Sequence, residues 1–343
     1  MTPSEALDPK TRLAALRAAV EGSERVLILA HDNPDPDALA SAFALRAVLG
    51  HDSDLECTVG YGGIIGRAEN RAMTRELELD PVRVDDLDWD AFASIVLVDT
   101  QPGFGNNSLP DDRVATALID HHPCRSSLDE VAFVDIREGY GATATMAHEY
   151  VQASGVSLPT NLLTALFYAI KSETQELGRE AGYADREAYL SLLPRADKAV
   201  IARIQRARVP RDYFRAFQLA IENARVHGRT VLTDLDRVES PDIVAEIADF
   251  LLRLEGADWA ACIGRYGDDM VLSLRTSDPD AHAGQVIRRI VGDLGRAGGH
   301  GMMAGGKVPL RESSYAEVAK DVRARLLEEL GGGKKPGEPL ATA

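Results

Sequence analysis

His31, Asp35 and Asp37 lie within one seven-residue stretch, His31-Asp32-Asn33-Pro34-Asp35-Pro36-Asp37, directly after the apolar run Val26-Leu27-Ile28-Leu29-Ala30. An imidazole and two carboxylates held this close on a proline-stiffened loop repel and desolvate one another unless something positive sits between them. A divalent metal is the simplest such partner. The competing reading is a solvated loop in which Asp37 caps the next helix. For an isolated H-x-x-x-D-x-D that reading wins most of the time, because short motifs often match by chance.

Other stretches shift the balance. Ser94-Ile95-Val96-Leu97-Val98 ends in Asp99, Thr116-Ala117-Leu118-Ile119 delivers Asp120-His121-His122-Pro123, and Ala132-Phe133-Val134 ends at Asp135. Short, wholly apolar runs that stop abruptly in charge read as strands buried on both faces. Between them lie helical patterns at Ala38 to Leu45 and at Glu69 to Leu79, with a packing helix over Glu5 to Val20 before the first strand. A further strand is expected near Glu56 to Gly60. Alternating strands and helices make a parallel α/β sheet, whose ligands bind beyond the carboxyl ends of the strands. His31, Asp99 and Asp120-His121-His122 are thereby expected on one edge of one sheet.

Gly139 to Thr145 opens a helix whose free amides meet either an anion or an ordinary cap. The helix from about Pro159 ends near Glu173, which is either a further acidic arm of the site or a surface residue. The first domain is placed at 1–188 and a charged helical connector, broken by Pro194 and Pro210, at 189–216. A smaller α/β domain is placed at 217–330. It has strands at Thr230 to Thr233, Trp259 to Ile263 and Met270 to Leu274, helices at Ile243 to Leu254 and Ala283 to Leu294, and then the glycine-rich run from Gly298 to Gly306. Residues 331–343 lack an apolar pattern and are expected to be disordered.

Composition sets bounds on function. The formal charge of −16 speaks against a broad basic surface for duplex DNA but leaves short anionic substrates open, since these need only a local positive site. No apolar segment approaches the roughly 20 residues of a membrane helix, and the N-terminus lacks a signal-peptide pattern, so a cytoplasmic protein without membrane partners is expected. Cys57, Cys124 and Cys262 are odd in number and widely spaced, which indicates neither a disulfide framework nor a zinc knuckle.

Taken together, these motifs resemble the DHH phosphoesterase superfamily, named for the triplet that stands here as Asp120-His121-His122. His31, Asp35 and Asp37 with Ala38 and Ser41 resemble its first motif, and Asp99 its second. Gly298-Gly299-His300, with Ala304-Gly305 and Ser273-Leu274-Arg275, resembles the DHH-associated C-terminal domain of oligoribonuclease-like and pAp phosphatase-like members. The resemblance implies that His31, Asp35 and Asp99 hold one metal and that Asp37, Asp99 and His121 hold a second. Glu173 stands where the family usually has an aspartate completing the second site. The ions implied are two divalent cations, manganese first, with magnesium or cobalt as substitutes.

The same resemblance gives His122 a role as donor to the phosphate or as support for the site, and makes Asp120 the group that orients His121. Arg275 and His300, with Gly298 and Gly299, would clasp the far end of the substrate across an interdomain cleft that measures its length. The substrates implied are short single-stranded oligoribonucleotides and linear dinucleotides such as pApA and pGpG, cleaved to nucleoside 5′-monophosphates. The alternatives are phosphatase action on 3′-phosphoadenosine 5′-phosphate, or a weakly active nucleotide sensor if Glu173 spoils the second metal. Relatives often dimerise, and a homodimer fits that pattern.

Overall fold

The computed structural model describes residues 8–124, 127–311, 313–332 and 336–341. It divides into two compact units, Met1–Ala207 and Arg208–Ala343. In the first unit, six strands form one parallel sheet: β1 (Arg25–Ala30), β2 (Glu56–Tyr61), β3 (Val82–Arg83), β4 (Ser94–Val98), β5 (Ala117–Asp120) and β6 (Phe133–Ile136). Their order is β3-β2-β1-β4-β5-β6, and every pairing is parallel. All five residues of β4 are buried, and in β1 only Arg25 is exposed. That is why these strands carry no polar alternation: helices or loops cover both faces.

The helix after β1, α2 (Pro36–Leu49), buries eleven residues, including the whole run from Asp37 to Leu45. It can be apolar nearly all round because α4 (Thr143–Ser154) and α5 (Thr160–Glu173) share its layer and join it in one core with Val26, Ile28 and Val96. Its cap is Asp35 and not Asp37. The Asp35 carboxylate accepts the amides of Asp37 (2.8 Å) and Ala38 (3.0 Å), and Pro36 takes the first helical position, where its missing amide has no consequence. The expected N-terminal helix is α1 (Pro9–Ala19), capped by Asp8, while residues 5–7 of that expectation lie outside the described residues.

The charged stretch read as a connector is shared between the units. Helices α6 (Tyr183–Leu192) and α7 (Lys198–Gln205) send Leu192, Val200, Ile201 and Ile204 into the first core, whereas α8 (Arg211–Asn223) anchors through Ala220 in the second unit. The charges that suggested a connector are the solvated faces of packing helices.

The second unit holds a seven-stranded sheet built from β7 (Arg225–His227), β8 (Thr230–Arg237), β9 (Trp259–Tyr266), β10 (Asp269–Thr276), β11 (Arg296–His300), β12 (Met303–Pro309) and β13 (Glu338–Pro339). The order is β11-β12-β10-β9-β8-β7-β13, with only the β8–β9 pair parallel. Helices α9 (Asp242–Leu251), α10 (Ala283–Val291) and α11 (Tyr315–Glu329) bury its apolar faces. The glycine-rich run from 298 forms the end of β11, the start of β12 and the turn between them. The tail expected to be disordered departs from that reading at β13, which extends the sheet beside β7, and the Leu340 amide donates to the Ala224 carbonyl. Two paired residues at a sheet edge need no apolar periodicity, so composition gave no sign of them. Among the described residues, no helix is long and apolar enough to cross a membrane.

One buried histidine of the first unit makes its stability depend on pH. His148 on α4 is 4% exposed, and its Nε2 faces Ser191 Oγ at 2.9 Å. Burial, helped by the charge of Arg195, depresses its pKa from 6.5 to about 4. As pH falls below 6.5 the unfolded chain takes up a proton that the folded chain refuses until about pH 4, so stability declines across that window. At pH 5 the shift corresponds to about 2 kcal/mol. Urea unfolding at pH 7 and pH 5 should show the wild type losing about that much more than His148→Gln; equal losses would refute the assignment.

Candidate metal centre

The order of the parallel sheet reverses between β1 and β4, and in a doubly wound sheet the crevice beyond the strand ends at such a point is where ligands bind. His31 follows β1 immediately, and Asp99 follows β4 with a left-handed φ of 60°, a conformation aspartate tolerates better than most residues. The Asp99 carboxylate lies between two imidazoles. Oδ2 is 3.6 Å from His31 Nε2, and Oδ1 is 3.6 Å from His121 Nε2. Asp35 Oδ1 stands 3.8 Å from His31 Nε2, and Asp37 Oδ2 stands 4.0 Å from His121 Nε2.

Both imidazoles are oriented by their other nitrogen. His31 Nδ1 donates to the Asp32 carbonyl (2.9 Å) and His121 Nδ1 to the Tyr140 carbonyl (3.0 Å). This leaves each Nε2 facing the carboxylates, the arrangement by which metal-binding histidines are usually held. The aspartates are braced as well. Asp37 accepts the amides of Thr143 (2.8 Å) and Ala144 (2.7 Å), one on each oxygen, and Thr143 Oγ1 donates to Asp99 Oδ1 (2.8 Å). The anion met by the open end of α4 is thus a carboxylate of the protein itself.

The charges are unbalanced without a cation. Burial, and then the charges of Asp35 and Glu173, push the Asp37 carboxyl well above the usual range. Burial and the charges of Asp37, Asp35 and Asp120 do the same to Asp99. His31 is pulled down by burial but lifted more by Asp35, ending at about 9. His31, Asp35 and Asp99 converge closely enough to hold a metal, as do Asp99, His121 and His122. Imidazole nitrogen with carboxylate oxygen suits a borderline divalent ion, so the donor set fits the metals that the sequence implies.

The remaining expected residues fall in different places. Asp120 pairs with His122: its Oδ1 is 2.8 Å from His122 Nδ1, and its Oδ2 accepts Gln101 Nε2 at 2.7 Å. Burial opposes ionisation of Asp120, but the bond to His122 prevails and lowers its pKa. Asp120 is near enough to His121 to interact with it through charge, while the Tyr140 carbonyl holds His121 Nδ1. Glu173, at the end of α5, is close enough for its charge to raise Asp37, but its Oε1 is bonded to Arg179 Nη2 (2.9 Å), which also donates to the Glu173 carbonyl (2.8 Å). Glu173 is in neither of the two convergent donor groups.

In the second unit Arg275 is 7% exposed and committed to its own domain: its guanidinium binds Asp249, Ser273 Oγ and the Leu274 carbonyl. Gly298 and Gly299 lie on β11 opposite Gly305 and Ala304. Gly284 of α10 shows why bulk is excluded there, since a Cβ on it would come within 2.0 Å of the Gly299 carbonyl oxygen. His300 ends the strand, and its side chain lies outside the described residues.

Sequence reasoning passed over Gln101 and the Tyr140 carbonyl. Gln101 Nε2 ties Asp120 to the His122 carbonyl (2.9 Å). Its position two residues after Asp99 was a signal available in the sequence. A backbone carbonyl leaves none.

Comparison with known proteins places this geometry among relatives. The DHH family, N-terminal domain, matches residues 25–170, and the DHHA1 domain matches residues 228–332. Protein MJ1633 of Methanocaldococcus jannaschii is 33% identical over 320 residues, covering 89% of this chain and 64% of its own length. The cyclic-di-AMP phosphodiesterase GdpP of Geobacillus thermodenitrificans is 23% identical over 341 residues, covering 93% of this chain and 50% of its own. The chain thus spans between half and two thirds of the curated relatives it matches. Among solved structures, an exopolyphosphatase-related protein from Bacteroides fragilis superposes with a TM-score of 0.73 at 14% identity, covering 94% of this chain and 98% of its own. RecJ of Thermus thermophilus, in complex with Mn2+, superposes with a TM-score of 0.56 at 14% identity over 96% of this chain and 55% of its own.

Proposed function

The chain belongs to the DHH superfamily of phosphoesterases, as a DHH domain followed by a DHHA1 domain, and on that premise we propose that it hydrolyses phosphodiester bonds in short oligoribonucleotides or linear dinucleotides. The products are nucleoside 5′-monophosphates. The observation that carries the reading is the Asp99 carboxylate, with one oxygen 3.6 Å from His31 Nε2 and the other 3.6 Å from His121 Nε2. A single carboxylate facing two imidazoles in this way is suited to bridging two cations.

His31, Asp35 and Asp99 would hold one divalent ion, and Asp37, Asp99 and His121 the other, with Glu173 beside the second. RecJ has been solved with Mn2+ and with Mg2+, which fits a divalent ion at such a centre, and the mixed nitrogen and oxygen donors put manganese first. When bound, the ions lower the pKa of a water and offset the charge that develops on the attacked phosphoryl group. The chain's own residues do the rest. The Tyr140 and Asp32 carbonyls fix the two imidazoles, and the α4 amides keep Asp37 in place. His122, paired with Asp120 through Nδ1 and set beside Asp99, is assigned to the phosphate. Arg275, Gly298, Gly299 and His300 are assigned to substrate recognition on the DHHA1 resemblance. Because Arg275 already binds Asp249 and Ser273, its part is to shape that surface.

A second reading takes its support from the Glu173–Arg179 pair, which occupies one oxygen of the carboxylate assigned beside the second ion. In that reading the chain binds nucleotides and turns them over slowly. Incubating pApA, pGpG and 3′-phosphoadenosine 5′-phosphate with protein and manganese distinguishes the cases. The phosphodiesterase releases mononucleotides from the first two, whereas a 3′-phosphatase releases inorganic phosphate from the third. Glu173→Asp keeps the charge and draws the carboxylate back by one methylene. If Glu173 is a working ligand, kcat falls at least about 10-fold, as a misplaced site group would produce. A rise in kcat would instead establish the slow-turnover reading.

A further inference from the structure

We propose that Phe104 is a stacking platform for a base of the nucleotide substrate, an inference that rests on the proposed hydrolysis of nucleotides at the metal centre. Phe104 lies in the loop Pro102-Gly103-Phe104-Gly105-Asn106-Asn107, five residues beyond Asp99. Its ring centroid is 6.4 Å from that of His122, with the planes at 85°. The aromatic ring is therefore next to the imidazole assigned to the phosphate, within the span of a single nucleotide.

The ring is half-buried, unlike the core residues Phe43, Phe133 and Phe167, which are 0%, 8% and 3% exposed. It is presented by glycines in the left-handed region on either side, Gly103 at φ 83° and Gly105 at φ 72°. The loop around it is clamped. Thr100 Oγ1 donates to Asn106 Oδ1 (2.7 Å), and Asn107 Nδ2 donates to Thr100 Oγ1 (3.0 Å) and to the Gln101 carbonyl (2.9 Å). The Asp32 amide reaches the Asn106 carbonyl (2.6 Å), and Ser108 Oγ reaches Asp32 Oδ1 (2.7 Å). The same Asp32 holds His31 through its carbonyl, so the aromatic loop and the metal ligands share one scaffold. An aromatic on a pre-ordered loop loses little entropy when a base stacks on it.

Such a platform meets a need set by the charge. A chain carrying −16 cannot rely on long-range attraction for an anionic substrate, and stacking contributes affinity through the π-face that every base possesses. The ligand class is a nucleotide of any base, preferred over phosphodiesters that carry no base.

The test compares pApA with a dinucleotide of the same backbone whose two bases are replaced by hydrogen, using wild type, Phe104→Ala and Phe104→Trp. Wild type and Phe104→Trp should prefer pApA by KM. In Phe104→Ala that preference should shrink roughly 5- to 150-fold, the range expected for losing one stacked base. Independently of turnover, pApA should quench the added tryptophan emission of Phe104→Trp, and the abasic dinucleotide should not. If Phe104→Ala keeps the wild-type preference, or if pApA leaves that emission unchanged, the platform is refuted. If wild type hydrolyses neither compound but the quenching is seen, the hydrolytic reading fails while the stacking assignment stands.

Discussion

Replacing Asp99 with asparagine should lower kcat for dinucleotide hydrolysis by more than about 10³-fold, while raising the melting temperature of the metal-free protein. The loss follows from position. Asp99 faces His31 with one oxygen and His121 with the other, so neutralising it weakens both metal sites together. Metal-borne charge stabilisation contributes several kcal/mol to such a transition state, and about 1.4 kcal/mol is a factor of ten in rate. Asparagine is the informative substitution because it keeps the shape and tolerates the left-handed φ of 60° that alanine would resist. The gain in stability follows from electrostatics. Burial and the charges of Asp37, Asp35 and Asp120 already disfavour the ionised Asp99, and removing that charge relieves the repulsion. Equilibrium dialysis against manganese should show fewer than two ions bound per chain. Near-wild-type kcat in Asp99→Asn would sink the bridging role.

The sheet could be read in the sequence because each central strand is an apolar run that ends in charge. A parallel strand covered on both faces leaves that mark and little else, as β4 shows with all five residues buried. The positions of His31 and Asp99 followed from where those runs stop. What could not be read were pairings made through the backbone or across long separations. His121 is oriented by the carbonyl of Tyr140, an atom that every residue possesses. Asp35 and Asp37 are chemically equivalent in the sequence, and only the path of the chain makes the first a helix cap and the second the acceptor of two amides from α4. The Arg179 partner of Glu173 lies past a turn in which Gln175, Glu176 and Leu177 all adopt left-handed φ, which no glycine announces. Likewise Arg275 carries a charge that suggests a ligand, yet Asp249 on α9 engages it.

Replacing Arg137 with alanine should destabilise the first unit by about 3 kcal/mol, the lower end of what breaking a buried ion pair costs, because Arg12 stays beside the shared Asp135. Arg137 is 2% exposed. Its Nε and Nη2 donate to Asp135 at 2.9 and 2.6 Å, and Nη1 donates to Glu149. Asp135 is fully buried, accepts the Tyr150 hydroxyl at 2.7 Å and has Arg12 Nε at 3.7 Å, so removing the guanidinium leaves the more distant Arg12 as the cation beside this carboxylate. In thermal unfolding this corresponds to a fall of about 10 °C for a unit of this size. The effect should also reach the metal centre. The Arg137 guanidinium lies 5.0 Å from the centre of the Tyr140 ring, the Tyr140 hydroxyl donates to Glu149 at 2.8 Å, and the Tyr140 carbonyl holds His121. Loosening that turn should weaken manganese binding even at temperatures where Arg137→Ala is fully folded. The double variant Asp135→Leu, Arg137→Met separates the two consequences. Removing both charges together should recover part of the lost stability, since a buried pair replaced by apolar groups of similar volume is often neutral, while the loss of Asp135 beside the buried Arg12 limits the gain. It removes the network that braces Tyr140 all the same, so its manganese affinity should stay low. A double variant that regains metal affinity along with stability would show that Tyr140 needs no such support.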